Sequence, residues 1–304
     1  MPIPEVSKIW MDGELVDWKN AKIHILTHAL HYGSGVFEGI RCYKTDKGPA
    51  VFRLREHIKR LNRSAKPYRM EIPYSVDELM NATGELIKSN NLEECYIRPI
   101  AYRGYGEMGL NPLDAPVNVS IAAWPWGTYL GEDGLDNGIT ATISSFSRFQ
   151  PNAIPVSSKA TGQYINSILA KIEALDSGFD EAVMLDFRGF LSEGPGENMF
   201  IVQDDILHTP PEHASILPGI TRDSIITIAA DLGFEVRETE LTRDMLYLAD
   251  EAFFTGTAAE LTPIRKVDGW VIEKPWPVTK KLQKVFFNTV KGKEEKYDNW
   301  LYYI

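Results

Sequence analysis

Alternation of apolar and polar residues opens the chain and predicts β-structure. KIWMDGELVD (8–17) alternates on both sides of Asp12-Gly13, a dipeptide that favours a tight turn, so this segment is predicted to be a hairpin. Further short runs that alternate or stay apolar predict strands at 36–44, 50–53, 95–103 and 117–124.

Two helices are predicted between these strands. LREHIKRLNRSA (54–65) places Leu54, Ile58 and Leu61 along one face of a helix. Ser75-Val76-Asp77-Glu78 has the form of a capping box, in which the serine and the glutamate satisfy backbone N–H groups at a helix start. The helix that this box opens is predicted to run to about Ser89.

The middle and second half of the chain show a different pattern. PWGTYLGEDGLDNG (125–138) has no period and is rich in Gly, Asp and Pro, so it is predicted to be a loop. YINSILAKIEALDSG (164–178) is predicted to be a helix that ends near Gly178. Its apolar face consists of Ile165, Ile168, Leu169 and Ile172. A helix is also predicted at 221–233 with Thr221 as its N-cap, and another at 278–290. Strands are predicted at 139–146, 180–186, 198–203 and 251–257.

The resulting order predicts two α+β parts, because it lacks the regular strand–helix alternation of a doubly wound sheet. We expect a small N-terminal domain at 1–124, an interdomain loop at 125–137 and a large C-terminal domain at 138–304. The length of 304 residues, with 44% apolar and 24% charged residues, suits an ordinary globular protein of this organisation.

Charge and cysteine content narrow the choice of partners. A formal net charge of −10 without a basic stripe disfavours nucleic-acid binding. No apolar run reaches the length of a membrane span, and MPIPEVSKIW lacks a signal-peptide pattern, so we expect a cytoplasmic protein with no membrane contact. Cys42 and Cys95 form no C-x-x-C pair and are interpreted as small buried residues.

Three familiar patterns are rejected. Gly104-x-Gly106-x-x-Gly109 matches a dinucleotide-binding motif, but the following LNPLDAP cannot open the helix that the motif requires. His24, His28 and His31 have a helical metal-ligand spacing but no cysteine or carboxylate beside them, so no metal is expected. Ser34 lacks the full G-x-S-x-G elbow of a serine hydrolase.

Four other segments carry residues suited to one ligand. Lys159 stands among small residues in PVSSKATGQY, and an unprotonated lysine can form a Schiff base with an aldehyde. Glu193 precedes Gly194-Pro195-Gly196, where a carboxylate beside glycine backbone suits a flat ring whose nitrogen must stay protonated. Taken singly, each of these residues is better explained as a surface lysine or an exposed glutamate in a turn.

The other two segments are suited to anions. LPGITRDS (217–224) places a glycine, Ile220 and Thr221 at a predicted helix N-terminus, where free N–H groups and the helix dipole favour a phosphate. Thr255-Gly256-Thr257, followed by Ala258, forms a turn whose N–H groups are suited to an anion. A plain helix start and an ordinary tight turn are the alternatives.

The order of these four segments resembles that of the class IV (fold-type IV) aminotransferases, which use pyridoxal 5′-phosphate (PLP). SEGPGEN, LPGITR and YLADE are specific to that pattern, and the resemblance covers nearly the whole chain. It implies two α/β domains joined by an interdomain loop, with the cofactor at their boundary and held by the C-terminal domain. It also implies at least a homodimer, and it leaves open a hexamer of the kind found in some relatives.

The resemblance assigns roles to individual residues. Lys159 is the catalytic residue, which forms the internal aldimine and shuttles a proton, while Glu193 holds the pyridine nitrogen. Tyr164 hydrogen-bonds the ring oxygen and Gly196 packs near the ring, although Gln163 stands where the family often has Asn. The phosphate and the remaining cofactor contacts are assigned to Arg60, Leu217, Gly219, Ile220, Thr221, Gly256 and Thr257.

HYGSGVFEGIRCY (31–43) and CYIRPIAYRGYGEMGLNP (95–112) resemble the branched-chain amino acid aminotransferases. That resemblance implies that Tyr96 and Arg98 help to fix the substrate carboxylate near Thr257 and Ala258, and that Arg41 receives the side-chain carboxylate of glutamate. The other residues implied at the substrate are Tyr32, Phe37, Gly39, Met108, Leu110, Trp126, Tyr129 and Tyr164. Met108 and Leu110 belong to a loop that reaches across from a neighbouring subunit in this family.

The implied reaction is ping-pong transfer of the amino group from Leu, Ile or Val to 2-oxoglutarate. Two alternatives stay open at this point. A class IV enzyme for D-amino acids or R-amines would share the scaffold, and a non-catalytic binding protein would share the fold. Tyr96-x-Arg98 disfavours the former, and the presence of Lys159, Glu193, Tyr164 and Arg60 disfavours the latter.

Overall fold

A computed structural model describes residues 3–127 and 130–304 of the protein. Its strands, in chain order, are β1 (Lys8–Met11), β2 (Glu14–Asp17), β3 (Gly35–Phe37), β4 (Ile40–Thr45), β5 (Gly48–Phe52), β6 (Cys95–Arg103), β7 (Val117–Trp124), β8 (Ile139–Ile143), β9 (Glu181–Val183), β10 (Asn198–Gln203), β11 (Ile206–Thr209), β12 (Val236–Glu238), β13 (Glu251–Gly256), β14 (Glu260–Val267), β15 (Trp270–Val271) and β16 (Leu301–Tyr303). Its α-helices are α1 (His28–Tyr32), α2 (Leu54–Ala65), α3 (Val76–Ser89), α4 (Glu132–Asn137), α5 (Tyr164–Asp176), α6 (Ile220–Asp231), α7 (Arg243–Tyr247) and α8 (Pro277–Val290).

The backbone divides into two compact units. The first comprises Met1–Trp126, Ser158–Gln163 and Thr289–Ile304, and the second comprises Gly127–Ser157 and Tyr164–Asn288. These bounds differ from the expected domains because two later segments pair with the first part of the chain. Ala160 forms a β-bridge with Val36, and β16 pairs with β5.

The first unit is built on an antiparallel sheet with the order β16-β5-β4-β6-β7-β1-β2, and β3 pairs with β6 beside this path. The predicted hairpin is confirmed: Lys8 faces Asp17 across β1 and β2. Asp12 and Gly13 take positive φ at the turn, a conformation that suits glycine. Residues from both α2 and α3 lie in the apolar core of this unit, and the predicted apolar face of α2, formed by Leu54, Ile58 and Leu61, is buried there.

The second unit contains a mixed sheet with the order β12-β11-β10-β13-β14-β8-β9, and β15 pairs with β14. β10, β13 and β14 are antiparallel neighbours, whereas β8 is parallel to both β14 and β9. The segments between these strands carry the residues of greatest chemical interest, because β10 follows the GPGE turn and β13 runs directly into the TGT turn.

Several predicted elements are confirmed with their bounds. Helix α2 spans 54–65, α3 spans 76–89 behind a complete Ser75–Glu78 capping box, and β6 and β7 span 95–103 and 117–124. Cys42 and Cys95 are free and buried, as interpreted. None of the helices in the described residues is both long enough and apolar enough to cross a membrane.

Three predictions about local structure are wrong. The strand expected at 36–44 is interrupted at Glu38-Gly39, because the Glu38 side chain lies in the interior and binds His57 and Arg60. The loop expected at 125–138 contains α4. Helix α6 begins one residue earlier than expected, so Gly219 is its N-cap and Thr221 lies in its first turn.

Candidate active site

Lys159 lies in the first unit, on the short segment that pairs with the end of α1 and with β3. Its backbone N–H donates to Ser64 Oγ at 3.0 Å, and its carbonyl accepts from the N–H of Phe37 at 3.0 Å. The Lys159 Nζ lies 4.9 Å from the centroid of the Phe37 ring. Lys159 is thus half-buried, and hydrogen bonds hold both its backbone N–H and its carbonyl. Its amine lies over the face of the Phe37 ring.

The small residues after Lys159 are used for close packing of backbone. Thr161 Oγ1 donates to the carbonyl of Gly33 at 2.8 Å. A Cβ placed on Gly33, which has φ +63°, would come within 2.8 Å of the Gly162 Cα. Gly33 is thus needed for the close approach of the two segments.

Arg60, expected to bind phosphate, forms part of a buried cluster with Glu38 and His57. Its Nε and Nη2 donate to the two carboxylate oxygens of Glu38 at 2.7 and 2.9 Å, and His57 Nδ1 lies 2.7 Å from Glu38 Oε2. Burial by itself would raise the pKa of Glu38, but Arg60 and His57 hold that pKa well below its usual range. Burial also lowers the pKa of His57, so the cluster contains one anion, one cation and a neutral imidazole at pH 7.

Predicted substrate residues of the first unit lie together on and beside β6. Arg98 Nη2 donates to the Tyr96 hydroxyl at 3.1 Å, and the Arg98 guanidinium lies 4.8 Å from the centroid of the Phe37 ring. The Tyr96 and Trp126 rings meet edge to face with centroids 4.5 Å apart. A Cβ on Gly39 would overlap the Tyr96 hydroxyl, so glycine is required at this position. These contacts form an apolar and aromatic wall with one oriented cation.

Other predicted substrate residues are placed differently. Arg41 is buried opposite Tyr96 in the β4–β6 register, and its guanidinium lies 5.9 Å from the Tyr43 ring centroid. Tyr32, Met108 and Leu110 are exposed on the chain surface. Tyr129 lies outside the described residues.

The rejected histidine and glycine patterns have structural explanations. His28 links Ser34 Oγ at 2.6 Å to the carbonyl of Gly109 at 2.8 Å and so holds the glycine-rich loop, after which no helix opens. His31 Nε2 lies 2.9 Å from the carbonyl of Ile25. No group of three or more metal-ligating side chains is found in the part of the chain that the structure describes.

Glu193 lies in the second unit, and its carboxylate is buried and held from several directions. Arg148 Nη2 lies 2.9 Å from Oε1, while Asn198 Nδ2 and the Leu217 N–H each donate to Oε2 at 3.0 Å. The glutamate is therefore not the exposed turn residue that it resembles in isolation. A carboxylate fixed by three donors from three different segments has a defined orientation.

The turn after Glu193 packs against the turn after β13. A Cβ on Gly256 would lie 3.4 Å from the Gly196 carbonyl oxygen, so the two turns are close neighbours. Gly196 itself is exposed. Glu197 accepts from the Gly196 N–H at 3.1 Å. Burial, and after it the charge of the nearby Glu181, raise the pKa of Glu197 to about 8. Thr257 and Ala258 form the tip of the turn that follows β13.

The N-terminus of α6 has the features of an anion site. Gly219 is the N-cap, and it has no side chain that could accept hydrogen bonds from the helix. The first N–H groups of an α-helix have no partner within the helix, so those of α6 are suited to an anion. Ile220 and Thr221, predicted to contact phosphate, occupy this first turn. The guanidinium of Arg222, in the same turn, is used inside the protein: it donates to the Thr209 hydroxyl, to the carbonyl of Pro210 and to the Glu238 carboxylate.

A protein-family model described as Amino-transferase class IV matches residues 35–267 of this chain. The chain belongs to the class IV aminotransferases. It is an enzyme of that family, and its mixed α/β structure is the fold-type IV structure.

Individual class IV aminotransferases are similar over almost the full length. The branched-chain-amino-acid aminotransferase of Salmonella typhimurium is 51% identical over 304 residues, which cover 99% of this chain and 98% of that protein. The Escherichia coli branched-chain amino acid aminotransferase crystal structure superimposes with a TM-score of 0.96 at 51% identity, covering 98% and 99% of the two chains. Among the class IV enzymes, the similarity is thus to branched-chain amino acid aminotransferases.

The branched-chain amino acid aminotransferase of T.th. is also similar and was solved with small molecules. Its structure with pyridoxamine 5′-phosphate has a TM-score of 0.95 at 49% identity and covers 98% and 99% of the two chains. Its structure with N-(5′-phosphopyridoxyl)-L-glutamate has a TM-score of 0.92 at 47% identity, with 98% of each chain covered.

Sequence reasoning missed four polar residues of this class IV aminotransferase: Glu38, His57, Arg148 and Asn198. All four are buried. Glu38 binds Arg60, and His57 binds Glu38. Arg148 and Asn198 both bind Glu193. One signal was available for Glu38, because an acidic residue stands inside the apolar run VFEGI. Arg148 and Asn198 reach Glu193 from separate segments, which the sequence pattern does not reveal.

Proposed function

We propose that this enzyme transfers the amino group of L-leucine, L-isoleucine or L-valine to 2-oxoglutarate with PLP as cofactor. The observation that carries the proposal is the buried Glu193 carboxylate, fixed by Arg148, Asn198 and the Leu217 N–H. A class IV aminotransferase needs a protonated pyridine nitrogen on its cofactor, and an oriented carboxylate keeps it protonated. Class IV membership and the 51% identity to branched-chain enzymes support the substrate class.

The residues present fit PLP in three respects. Lys159 offers a half-buried amine with a fixed backbone, Glu193 offers an oriented carboxylate, and the uncapped N-terminus of α6 offers N–H groups to a phosphate. The T.th. relative solved with pyridoxamine 5′-phosphate supports the same choice. When bound, PLP supplies an electron sink for the substrate Cα.

Lys159 is proposed to move the proton. Its amine, in the unprotonated form, would take the proton from the substrate Cα and would return that proton later in the reaction, acting first as a base and then as an acid. The Phe37 ring beneath its Nζ excludes water from one side of that amine and orients it.

Tyr96 and Arg98 are proposed to orient the substrate carboxylate, since Arg98 is already held by the Tyr96 hydroxyl. Phe37 and Trp126 provide apolar surface suited to a branched aliphatic side chain. Arg41 is proposed for the second carboxylate of glutamate, and the T.th. structure with a phosphopyridoxyl-glutamate supports glutamate as the other substrate.

A homodimer is proposed as the smallest functional assembly, and a hexamer, built from three such dimers, is the larger assembly that the resemblance leaves open. Helix α5 exposes Ile165, Ile168, Leu169, Ile172 and Leu175 along its length. A contiguous apolar stripe of this size marks an interaction surface. Met108 and Leu110 are likewise exposed, which supports the proposal that their loop reaches a neighbouring subunit.

Lys159→Ala tests the proposed chemistry. Loss of the amine is expected to lower the rate of glutamate formation from L-leucine and 2-oxoglutarate by at least about 10²–10⁴-fold. Lys44→Ala, which removes an exposed lysine paired with Glu93, is the matched control and keeps the wild-type rate. A Lys159→Ala enzyme with near wild-type turnover contradicts the assignment. Rates with L-leucine, D-alanine and R-phenylethylamine on the wild type separate the proposed substrate from the D-amino-acid and R-amine alternatives.

A further inference from the structure

Asn198, the first residue of β10, has no role in the function proposed above beyond its bond to Glu193, yet its side chain is almost fully buried. Its Nδ2 donates to Glu193 Oε2 at 3.0 Å and to the carbonyl of Leu217 at 2.9 Å. A side-chain amide has two N–H groups, so both of its donors are used. A single amide group therefore bonds the Glu193 carboxylate and the segment that leads into α6.

The same segment also bonds Glu193 directly. The Leu217 N–H donates to Glu193 Oε2 at 3.0 Å, while the Leu217 carbonyl accepts from Asn198. Glu193, Asn198 and Leu217 thus form a closed ring of three hydrogen bonds. A closed ring restrains both position and orientation, because no member can shift without lengthening two bonds.

The opposite side of the Asn198 amide touches the N-cap of α6. A Cβ built on Gly219 would overlap Asn198 Oδ1. The backbone of Gly219 has φ −74° and ψ 133°, an extended conformation that any residue adopts, so glycine is needed here for space and not for backbone freedom. The first turn of α6 is consequently held at contact distance from the same amide that orients Glu193.

Arg148 differs from Asn198 in this respect. It binds Glu193 Oε1 at 2.9 Å and approaches the Ser167 hydroxyl and the carbonyl of Ser215. These three contacts of Arg148 orient the Glu193 carboxylate, but none of them is to the first turn of α6. Asn198 alone among these partners of Glu193 contacts both Leu217 and Gly219.

We propose that Asn198 is a positioning residue that sets the spacing between Glu193 and the first turn of α6. The inference rests on the proposed function, in which Glu193 receives the ring nitrogen of PLP and α6 receives its phosphate. Those two groups are held at a nearly fixed separation by the rigid ring of the cofactor. Protein groups held at the matching separation bind both ends at once, without first having to be ordered.

The test compares two ligands that differ only in the phosphate. Dissociation constants of the apoenzyme for PLP and for pyridoxal are measured by equilibrium dialysis and by tryptophan fluorescence. Asn198→Ala is expected to raise the dissociation constant for PLP about 10-fold or more and that for pyridoxal by a smaller factor. The advantage of PLP over pyridoxal is therefore expected to fall at least about threefold, because the phosphate is no longer held in register with the ring.

Gly219→Ala is a second variant, and it removes no hydrogen-bond donor. Its new Cβ would overlap Asn198 Oδ1 and so displace the Asn198 amide from the N-terminus of α6. It is expected to reduce the same ratio and so answers the question even where Asn198→Ala folds poorly. Asn90→Ala is the matched control, because the Asn90 amide also donates to two backbone carbonyls, those of Lys8 and Leu86, in the first unit. It is expected to leave the ratio of the two dissociation constants unchanged.

The outcomes separate this inference from the proposed function. Equal weakening of PLP and pyridoxal, or PLP binding close to that of wild type in both variants, overturns the spacing role of Asn198 while leaving the enzyme a PLP protein. A wild-type protein that binds neither compound overturns the proposed function, and the role of Asn198 with it.

Discussion

Helices α2 and α5 have nearly the same length and the same spacing of apolar residues, but their apolar faces lie in opposite environments. Leu54, Ile58 and Leu61 of α2 are at most 1% exposed. The face of α5 carries Ile165 and Ile168, which are 65% and 53% exposed. The side of α5 that packs inward consists of Ser167, Ala170 and Ala174. Helical periodicity therefore identifies an apolar face, but it does not reveal what covers that face.

The small inward residues of α5 explain the difference. Ala170 and Ala174 lie in a core cluster with Ala182 and Met184, so this helix approaches its neighbours closely through short side chains. Its large apolar residues are then left for another surface. Helix α2 instead uses large residues inward and adds a polar inward group, because His57 and Arg60 both reach Glu38.

The largest expected effect concerns that polar group. Glu38→Gln removes the anion that compensates Arg60 in a buried setting, and the free energy of unfolding is expected to fall by about 3–5 kcal/mol. Chemical denaturation at pH 7 measures this loss. Glu93→Gln, which breaks the exposed pair with Lys44, is the control and is expected to cost no more than about 1 kcal/mol.

The pH dependence of the same variant gives an independent check. The pKa of Glu38 in the folded protein lies below its ordinary value of 4.5, so its stabilising contribution is present above pH 4.5 and declines as the pH falls below that value. The difference in stability between wild type and Glu38→Gln should therefore narrow below pH 4.5, and a constant difference would contradict the buried ion pair.

A second prediction concerns the apolar face of α2. Leu61→Ala leaves a cavity in the core of the first unit and is expected to lower the free energy of unfolding by about 2–5 kcal/mol. Leu175→Ala makes the same change on α5, where the side chain is 55% exposed, and is expected to cost no more than about 0.5 kcal/mol. Losses of similar size at both leucines, independent of protein concentration, would break the comparison between the helices.

The elements predicted correctly are those with signals within a few residues. The Ser75–Glu78 capping box fixes the start of α3, and the apolar spacing in 54–65 is enough to define α2. The interruption at Glu38-Gly39 depends on side chains far along the chain, namely Arg60 and Tyr96. Local patterns do not contain that information.

The same limit applies to the candidate site. Lys159 and Glu193 can be proposed from the sequence because each lies in a short motif with recognisable chemistry. Asn198 was missed because its amide acquires meaning only through contacts to Leu217 and Gly219, which lie in a later segment of the chain. Residues that orient a site through another residue leave little trace in a single sequence.

The smallest expected effect on the folded chain comes from the exposed face of α5. Ile168→Gln combined with Ile172→Gln replaces two exposed isoleucines by a residue with better helix propensity, so the stability of the chain is expected to change by less than about 1 kcal/mol. If this face forms the contact between two copies of the chain, each copy contributes both changed residues. The variant interface then loses apolar area on both of its sides. Sedimentation velocity should then show a dimer for wild type and a monomer for the variant at equal concentration. Val271→Gln, an equally exposed apolar position on β15, is the control and should keep the wild-type mass. A variant that retains that mass with α5 intact would show that the apolar stripe is covered by something other than a second copy, and the contrast between α2 and α5 would then need a different explanation.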